Sequence, residues 1–202
     1  MNNNYILAVL LLLIIAISSC RYSSDVPQNI DATNPYLYQN NRTIKSLSQS
    51  DIDNLKNGLG TYNEIEFLAE LNGYPGPEFL LKYSDELDLT TPQRLALQSF
   101  YNNMNKEAKH QGELIIASES FLQNQFQAGI INESSLYDAL TESSDAYAAL
   151  RFSRLKAHMK SLSILTQEQL EHYYELRGYD PCFIFAPGTN IKRWKQNHSC
   201  TN

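Results

Sequence analysis

The sequence predicts an all-α fold built on a long antiparallel helical hairpin with short flanking helices. Three observations predict it. Beyond residue 50 the apolar residues recur at spacings of three and four, the period of a helix face, and no stretch alternates as a half-buried strand does. Two long stretches, about 91–128 and 134–163, contain no Pro after the first turn of the former and one Gly, and only a few residues separate them, so the helices they predict must run antiparallel. Thr-led segments with Glu or Gln three residues on occur repeatedly, and that is the form of a capping box.

The elements follow in order. Ile52, Leu55 and Leu59 mark a short first helix, led by Ser50 and stopped near Gly58 and Gly60. Thr61-Tyr62-Asn63-Glu64 opens a second, whose apolar face is Ile65, Leu68 and Leu71. The segment Asn72-Gly73-Tyr74-Pro75-Gly76-Pro77 breaks it, and Pro77 suits the first position of a third helix carrying Phe79, Leu80, Tyr83 and Leu87. Thr90 caps the fourth, with Pro92 where its missing N–H is harmless and Gln93 completing the box. Its face is Leu97, Tyr101, Met104, Ala108, Gln111, Ile115 and Leu122, widened by Phe100, Leu114, Phe121 and Phe126, and it ends at Gly129. Gly112 within it costs about 1 kcal/mol relative to Ala. Asn132 or Ser134 starts the fifth, whose face is Leu136, Leu140, Tyr147, Leu150, Leu155 and Leu162. Thr166-Gln167-Glu168-Gln169 starts the last, with Leu170, Tyr173 and Leu176 inward and an end at Gly178.

The chain has 202 residues, enough for one domain, and 16 Lys+Arg against 22 Asp+Glu give a net charge of −6. That balance, with no compact basic run, removes the attraction to phosphate on which nucleic-acid binding depends. Tyr5 to Ile17 is an uninterrupted apolar run of thirteen, short of the roughly 20 residues a spanning helix needs, so residues 1–19 read as a signal peptide. Ile17-Ser18-Ser19-Cys20 resembles the lipobox of bacterial lipoproteins, which implies lipid attachment at Cys20 and a lipid-anchored position in the bacterial envelope. Cleavage by an ordinary signal peptidase and a short uncleaved anchor are the alternatives. Residues 20–47, rich in Asn, Ser, Tyr and Pro, read as a flexible tether. Export makes a disulfide between Cys182 and Cys200 permissible in a tail of residues 180–202, against the alternative of two free thiols.

Leu89-Thr90-Thr91-Pro92-Gln93 and Leu165-Thr166-Gln167-Glu168-Gln169 are two copies of an LTxxQ pattern bracketing the hairpin. With Ala69-Glu70-Leu71-Asn72-Gly73-Tyr74-Pro75-Gly76-Pro77, Leu155-Lys156-Ala157-His158 and Glu175-Leu176-Arg177-Gly178-Tyr179, they give residues 48–179 a resemblance to the Spy/CpxP family of periplasmic proteins and its neighbours, the periplasmic heavy-metal sensors of CnrX type. The resemblance implies a thin helical cradle, usually a homodimer, that holds unfolded or partly folded envelope proteins without ATP and is tethered to the membrane by the N-terminal lipid. The alternative it implies is a metal sensor or metal-binding resistance protein. Leu89, Thr90 and Gln93, like Leu165, Thr166 and Gln169, are then structural, fixing helix starts and their packing on neighbours.

No nucleophile elbow or Gly-rich phosphate loop is present, so no catalytic residue, enzymatic activity or cofactor is expected. No metal site is assigned. The nearest candidates are Glu107 and His110, which share a helix face with Met104 and Glu113 near them, and His158 beside Met159. A di-metal helical site needs the Glu-x-x-His motif twice and only one copy occurs, so a solvated helix face is the plainer reading of Glu107 and His110. His158 reads as a packing histidine, and His172 as an exposed partner of Glu168. Thirteen Tyr and eight Phe offer surface that is apolar yet tolerates water, although most should lie in the core.

Overall fold

The computed structural model describes residues 31, 33–61 and 66–200, in two compact units spanning 1–38 and 39–202. The leader, Cys20, most of the tether and the segment Tyr62–Ile65, with the capping box expected there, lie outside the described residues. In the first unit Asp31 accepts hydrogen bonds from the backbone N–H and the hydroxyl of Thr33, which hold its carboxyl below the usual range.

The second unit is all-α. Among the described residues it holds seven helices and no strand: α1 (Gln49–Lys56), α2 (Phe67–Glu70), α3 (Pro77–Lys82), α4 (Thr91–Ala128), α5 (Glu133–Leu162), α6 (Gln167–Leu176) and α7 (Ile191–Asn197). None of the helices among the described residues is long and apolar enough to cross a membrane.

α1 starts at Ser48, not at Ser50, because Asp51 stands three residues after Ser48 and each side chain meets the other's backbone N–H. α3 has Pro77 in its first turn but stops at Lys82, short of Leu87. The Arg94 guanidinium holds the turn that follows, donating to the Ser84 carbonyl at 2.9 Å and the Leu89 carbonyl at 2.9 Å and pairing with Asp85 at 2.7 Å. Leu87 therefore reaches the core from a turn.

α4 is 38 residues, about 57 Å at 1.5 Å per residue. Thr90 and Gln93 form its box, and Gly129, at φ 67°, closes it by turning the chain left-handed. Asn132 caps the 30-residue α5. The seam between them is narrower than the leucines of the sequence predict. On α5 the buried positions are Ala139, Ser143, Ala146, Leu150, Ala157 and Ser161, with Arg154 and His158, whereas Leu140 is 47% exposed. Small residues recurring every three or four positions let two long backbones approach closely, and Leu150 is the one leucine of α5 that is fully buried, in a cluster with Ala108 and Ile115 of α4. Phe121 and Phe126 likewise point outward instead of widening the α4 face. Gly112 has a positive reason to be glycine: a Cβ there would lie 1.9 Å from the Leu55 carbonyl oxygen, so α1 rests on α4 backbone to backbone.

Two apolar clusters hold the fold. One joins Leu55 of α1 with Ala108, Ile115, Ala146 and Leu150 of the hairpin, and takes in Ile44 and Leu47. The other joins Leu80, Leu87, Leu89, Leu97, Leu170, Tyr173 and Tyr174, and takes in Ile184 and Ala186. The packed body thus reaches beyond 48–179 on both sides, because short apolar segments in the tether and tail find places against the hairpin. Within the tail, Trp194 of α7 is buried and donates to the Pro181 carbonyl at 2.6 Å, and Cys182 and Cys200 form a disulfide with Cα atoms 5.5 Å apart.

Candidate functional site

The two LTxxQ segments meet. Gln93 Oε1 accepts from the Thr90 N–H at 2.9 Å, and Gln169 Oε1 accepts from the Thr166 N–H at 3.0 Å, so each closes its own helix start. Each amide also crosses to the other start. Gln93 Nε2 donates to Gln169 Oε1 at 2.8 Å and to the Ile164 carbonyl at 2.8 Å, while Gln169 Nε2 donates to Gln93 Oε1 at 3.2 Å and to the Leu87 carbonyl at 3.3 Å. Leu89 is buried and Leu165 half-buried, both in or against the cluster that holds Leu97 and Leu170. The motif spends its polar atoms on joining α4 to α6 and leaves little for a ligand.

Glu107 and His110 are both exposed on α4, where Glu107 Oε1 accepts from Gln111 Nε2 at 2.8 Å. Met104 faces the core and Glu113 faces solvent, so these four side chains do not converge. No group of three or more His, Cys, Asp or Glu able to hold a metal occurs among the described residues. His172 pairs with Glu175 at 3.2 Å and not with Glu168, whose pKa is instead lowered by bonding at the start of α6.

His158 is another matter. It is 2% exposed, and its neighbour Met159 points to solvent. Its Nδ1 lies 2.7 Å from the Tyr74 carbonyl oxygen, which can only accept, so Nδ1 carries a proton. Nε2 faces Glu66 Oε2 at 3.8 Å, without a hydrogen-bond partner, and Glu70 Oε2 lies 3.9 Å from Nδ1. Burial alone lowers the imidazole pKa, but the Glu66 carboxylate, the Tyr74 carbonyl and Glu70 together raise it above 6.5. Burial likewise raises Glu66, and His158 with Arg154 overcomes that and holds it below 4.5. Arg154, itself buried, pairs through Nε with Glu66 Oε1 and donates from Nη1 to the Gly58 carbonyl at 2.6 Å. Gly76 leaves room for the ring, since a Cβ there would stand 2.9 Å from His158 Cε1.

Glu70 is the second centre of the cluster. Its Oε1 accepts from the Tyr173 hydroxyl at 2.6 Å and the Tyr179 hydroxyl at 2.9 Å, its Oε2 accepts from the Gly76 N–H at 3.1 Å, and Arg177 Nε lies 3.5 Å away. Burial, and then the charge of Glu70, push the Tyr173 and Tyr174 phenols well up, so they remain donors. A pocket of about 320 Å³ opens over this floor, walled by Phe67, Leu71 and Phe79, with the Arg177 guanidinium lying 3.8 Å over the Phe79 ring. Sequence reasoning found His158 but not its company. Glu70, Arg177 and Tyr179 stood in the segments quoted for the family likeness, yet nothing in their spacing said that residues a hundred positions apart would share one buried site.

Chemically the cluster ties α2, α5 and α6 together, with Arg154, His158 and Glu70 buried and the side chains of Glu66 and Arg177 partly exposed at the pocket. The open surface is apolar. At the hairpin tip Phe126 and Ile130 are 59% and 62% exposed, and along α2 and its C-cap Phe67, Leu68 and Leu71 are each more than half exposed. A groove beside the tip, between residues 42–46 and α4, continues this surface past Leu122 and Phe126. No family model, no curated protein and no solved structure matches this chain.

Proposed function

We propose that this protein is a membrane-tethered helical binding module of Spy/CpxP type, which holds unfolded or partly folded proteins of a bacterial envelope without ATP. The observation that carries the reading is the apolar surface left open at the hairpin tip and on α2. Isolated exposed apolar residues are ordinary, but Phe126 and Ile130 stand one turn apart at the end of the hairpin, and Phe67, Leu68 and Leu71 on one turn. Such surface suits transient contact with chains whose own apolar residues are exposed, and it demands no single shape of them. The paired LTxxQ starts and the apolar leader ending at Cys20 support the family and the anchored location. Nothing in the arrangement of Glu107, His110 and His158 favours the metal-sensor alternative.

The test is suppression of light scattering as a chemically unfolded client is diluted into residues 39–202, with and without EDTA. Suppression is expected near stoichiometric ratios and unchanged by EDTA, and Phe126→Ser with Ile130→Ser should weaken it several-fold while leaving helicity intact. No suppression in molar excess, or suppression lost in EDTA, would overturn the reading.

A further inference from the structure

The pocket over His158 and Glu70 has apolar walls and a floor whose donors outnumber its free acceptors. Phe67 and Leu71 line it and are each 53% exposed, so two large apolar side chains border one opening without cover. At about 320 Å³ it stands at the lower end of the range of small-molecule sites, about 300–1,000 Å³. That volume takes one ring or a short branched chain with a polar head, and no folded partner.

The floor decides which head fits. Its acceptors are committed: Glu70 Oε1 takes the Tyr173 and Tyr179 hydroxyls, Glu70 Oε2 takes the Gly76 N–H, and Glu66 Oε1 is paired with Arg154. Its donors are not. His158 Nε2 and Arg177 Nε are buried without an acceptor. Of the terminal nitrogens of Arg177 only Nη2 donates to a described residue, the Tyr179 hydroxyl at 3.1 Å. Charge points the same way. Arg154, Arg177 and protonated His158 stand among two carboxylates, Glu66 and Glu70, which leaves one positive charge unmatched. A buried donor without an acceptor is costly, and a surplus buried charge more so.

We propose that this pocket binds a small organic acid, one carboxylate on an apolar body, with the body against Phe67, Leu71 and Phe79 and the carboxylate on Arg177 beside the His158 charge. A carboxylate brings acceptor oxygens and a single negative charge, and the floor is short of both. An amine would meet the surplus positive charge and carboxylates whose oxygens are taken. Two sources share the chemistry that fits: a free acid, and the C-terminal carboxylate of a chain whose last residue is apolar.

The chain has four histidines, so their ring resonances report on the site directly. In the full chain with Cys20→Ser, held in mild detergent, phenylpropionate should shift the His158 ring signals saturably and leave those of His110, His172 and His198 in place. His158→Gln identifies the signals by their loss. Phenylpropionamide, the same body without the charge, should bind about tenfold more weakly or worse, and phenylpropylamine should leave His158 unmoved. Phe67→Glu takes away one wall and sets a like charge at the mouth. Because Phe67 is exposed the variant should keep its helicity, and its affinity for phenylpropionate should fall about tenfold or more. Arg177→Gln should weaken binding as much. A tetrapeptide ending in Phe with a free carboxylate separates the sources: tighter binding than phenylpropionate assigns the pocket to a chain end, and weaker binding to a free acid. No saturable His158 shift at millimolar acid, an equal response to the amide, a response to the amine, or undiminished binding in folded Phe67→Glu would each overturn the proposal. The readout contains no unfolded client, so this inference and the client-binding reading, which shares Phe67 and Leu71, fail separately.

Discussion

At His158 a buried imidazole stands against the partly exposed Glu66 carboxylate, and the direction of each shift fixes how stability follows pH. Glu66 is held below its ordinary 4.5, so its contribution is complete above that value and is lost as pH falls through the lowered pKa. His158 is held above its ordinary 6.5, so its contribution is complete below that value and is lost as pH rises through the raised pKa. Both are complete only between 4.5 and 6.5. His158→Gln keeps a donor for the Tyr74 carbonyl and removes the charge, leaving Glu66 with Arg154 alone. The variant should be less stable than the wild type by about 3 kcal/mol in that window. The difference should shrink as pH climbs above it, and paired denaturant titrations across pH 5 to 9 are the measurement. A difference independent of pH would mean that folding leaves the imidazole pKa unshifted.

At the level of elements the Gln93–Gln169 contact couples two helix starts that lie 76 positions apart. Each glutamine completes its own box and reaches the other, so removing either loosens both. Gln93→Ala and Gln169→Ala should each cost about 1 kcal/mol, and the double variant clearly less than their sum, because the crossing bonds are lost once and not twice. Urea unfolding of the four proteins gives the coupling energy, and strict additivity would show the crossing bonds to be worth nothing. Such starts were legible in the sequence because a capping box is local: Thr90, Thr166 and Asn132 stand where the caps are. The interior of α5 was legible only in part. Periodicity picked out Leu150, Tyr147 and Leu162, which pack into the cores, but also Leu140, which is 47% exposed, and it passed over Ala139, Ala146 and Ala157, because how near two backbones come depends on a partner helix that one helix's sequence does not describe. The buried cluster escaped for the same reason, since Glu70, His158 and Tyr173 become neighbours only once the hairpin, α2 and α6 are assembled. α7 was missed because its seven residues are too few for a period to show.

Over the whole molecule, the tail is fastened both covalently and by packing, since Ile184 and Ala186 share a cluster with Leu80 and Tyr173 while the disulfide closes the segment that carries Trp194. Replacing both cysteines by serine should lower unfolding free energy by about 3 kcal/mol, the chain-entropy value for a loop of this length. Trypsin cleavage at Lys192 and Arg193 should also accelerate without a matching change at Lys106 in the hairpin. Unchanged stability and cleavage would mean that the apolar contacts alone secure the tail. The seam of alanines and serines has a mechanical meaning of its own. Long side chains can absorb a small sliding motion by changing rotamer, but at Ala139, Ser143, Ala146, Ala157 and Ser161 the α5 side of the seam offers only methyl and hydroxymethyl groups and has no such compliant layer. The turn at 129–132 closes one end of the hairpin, and the crossed glutamines lace its other end to α6. Load applied at the tip is then passed to the base as by a lever, and the rod lifts or pivots as one piece before its two helices shear.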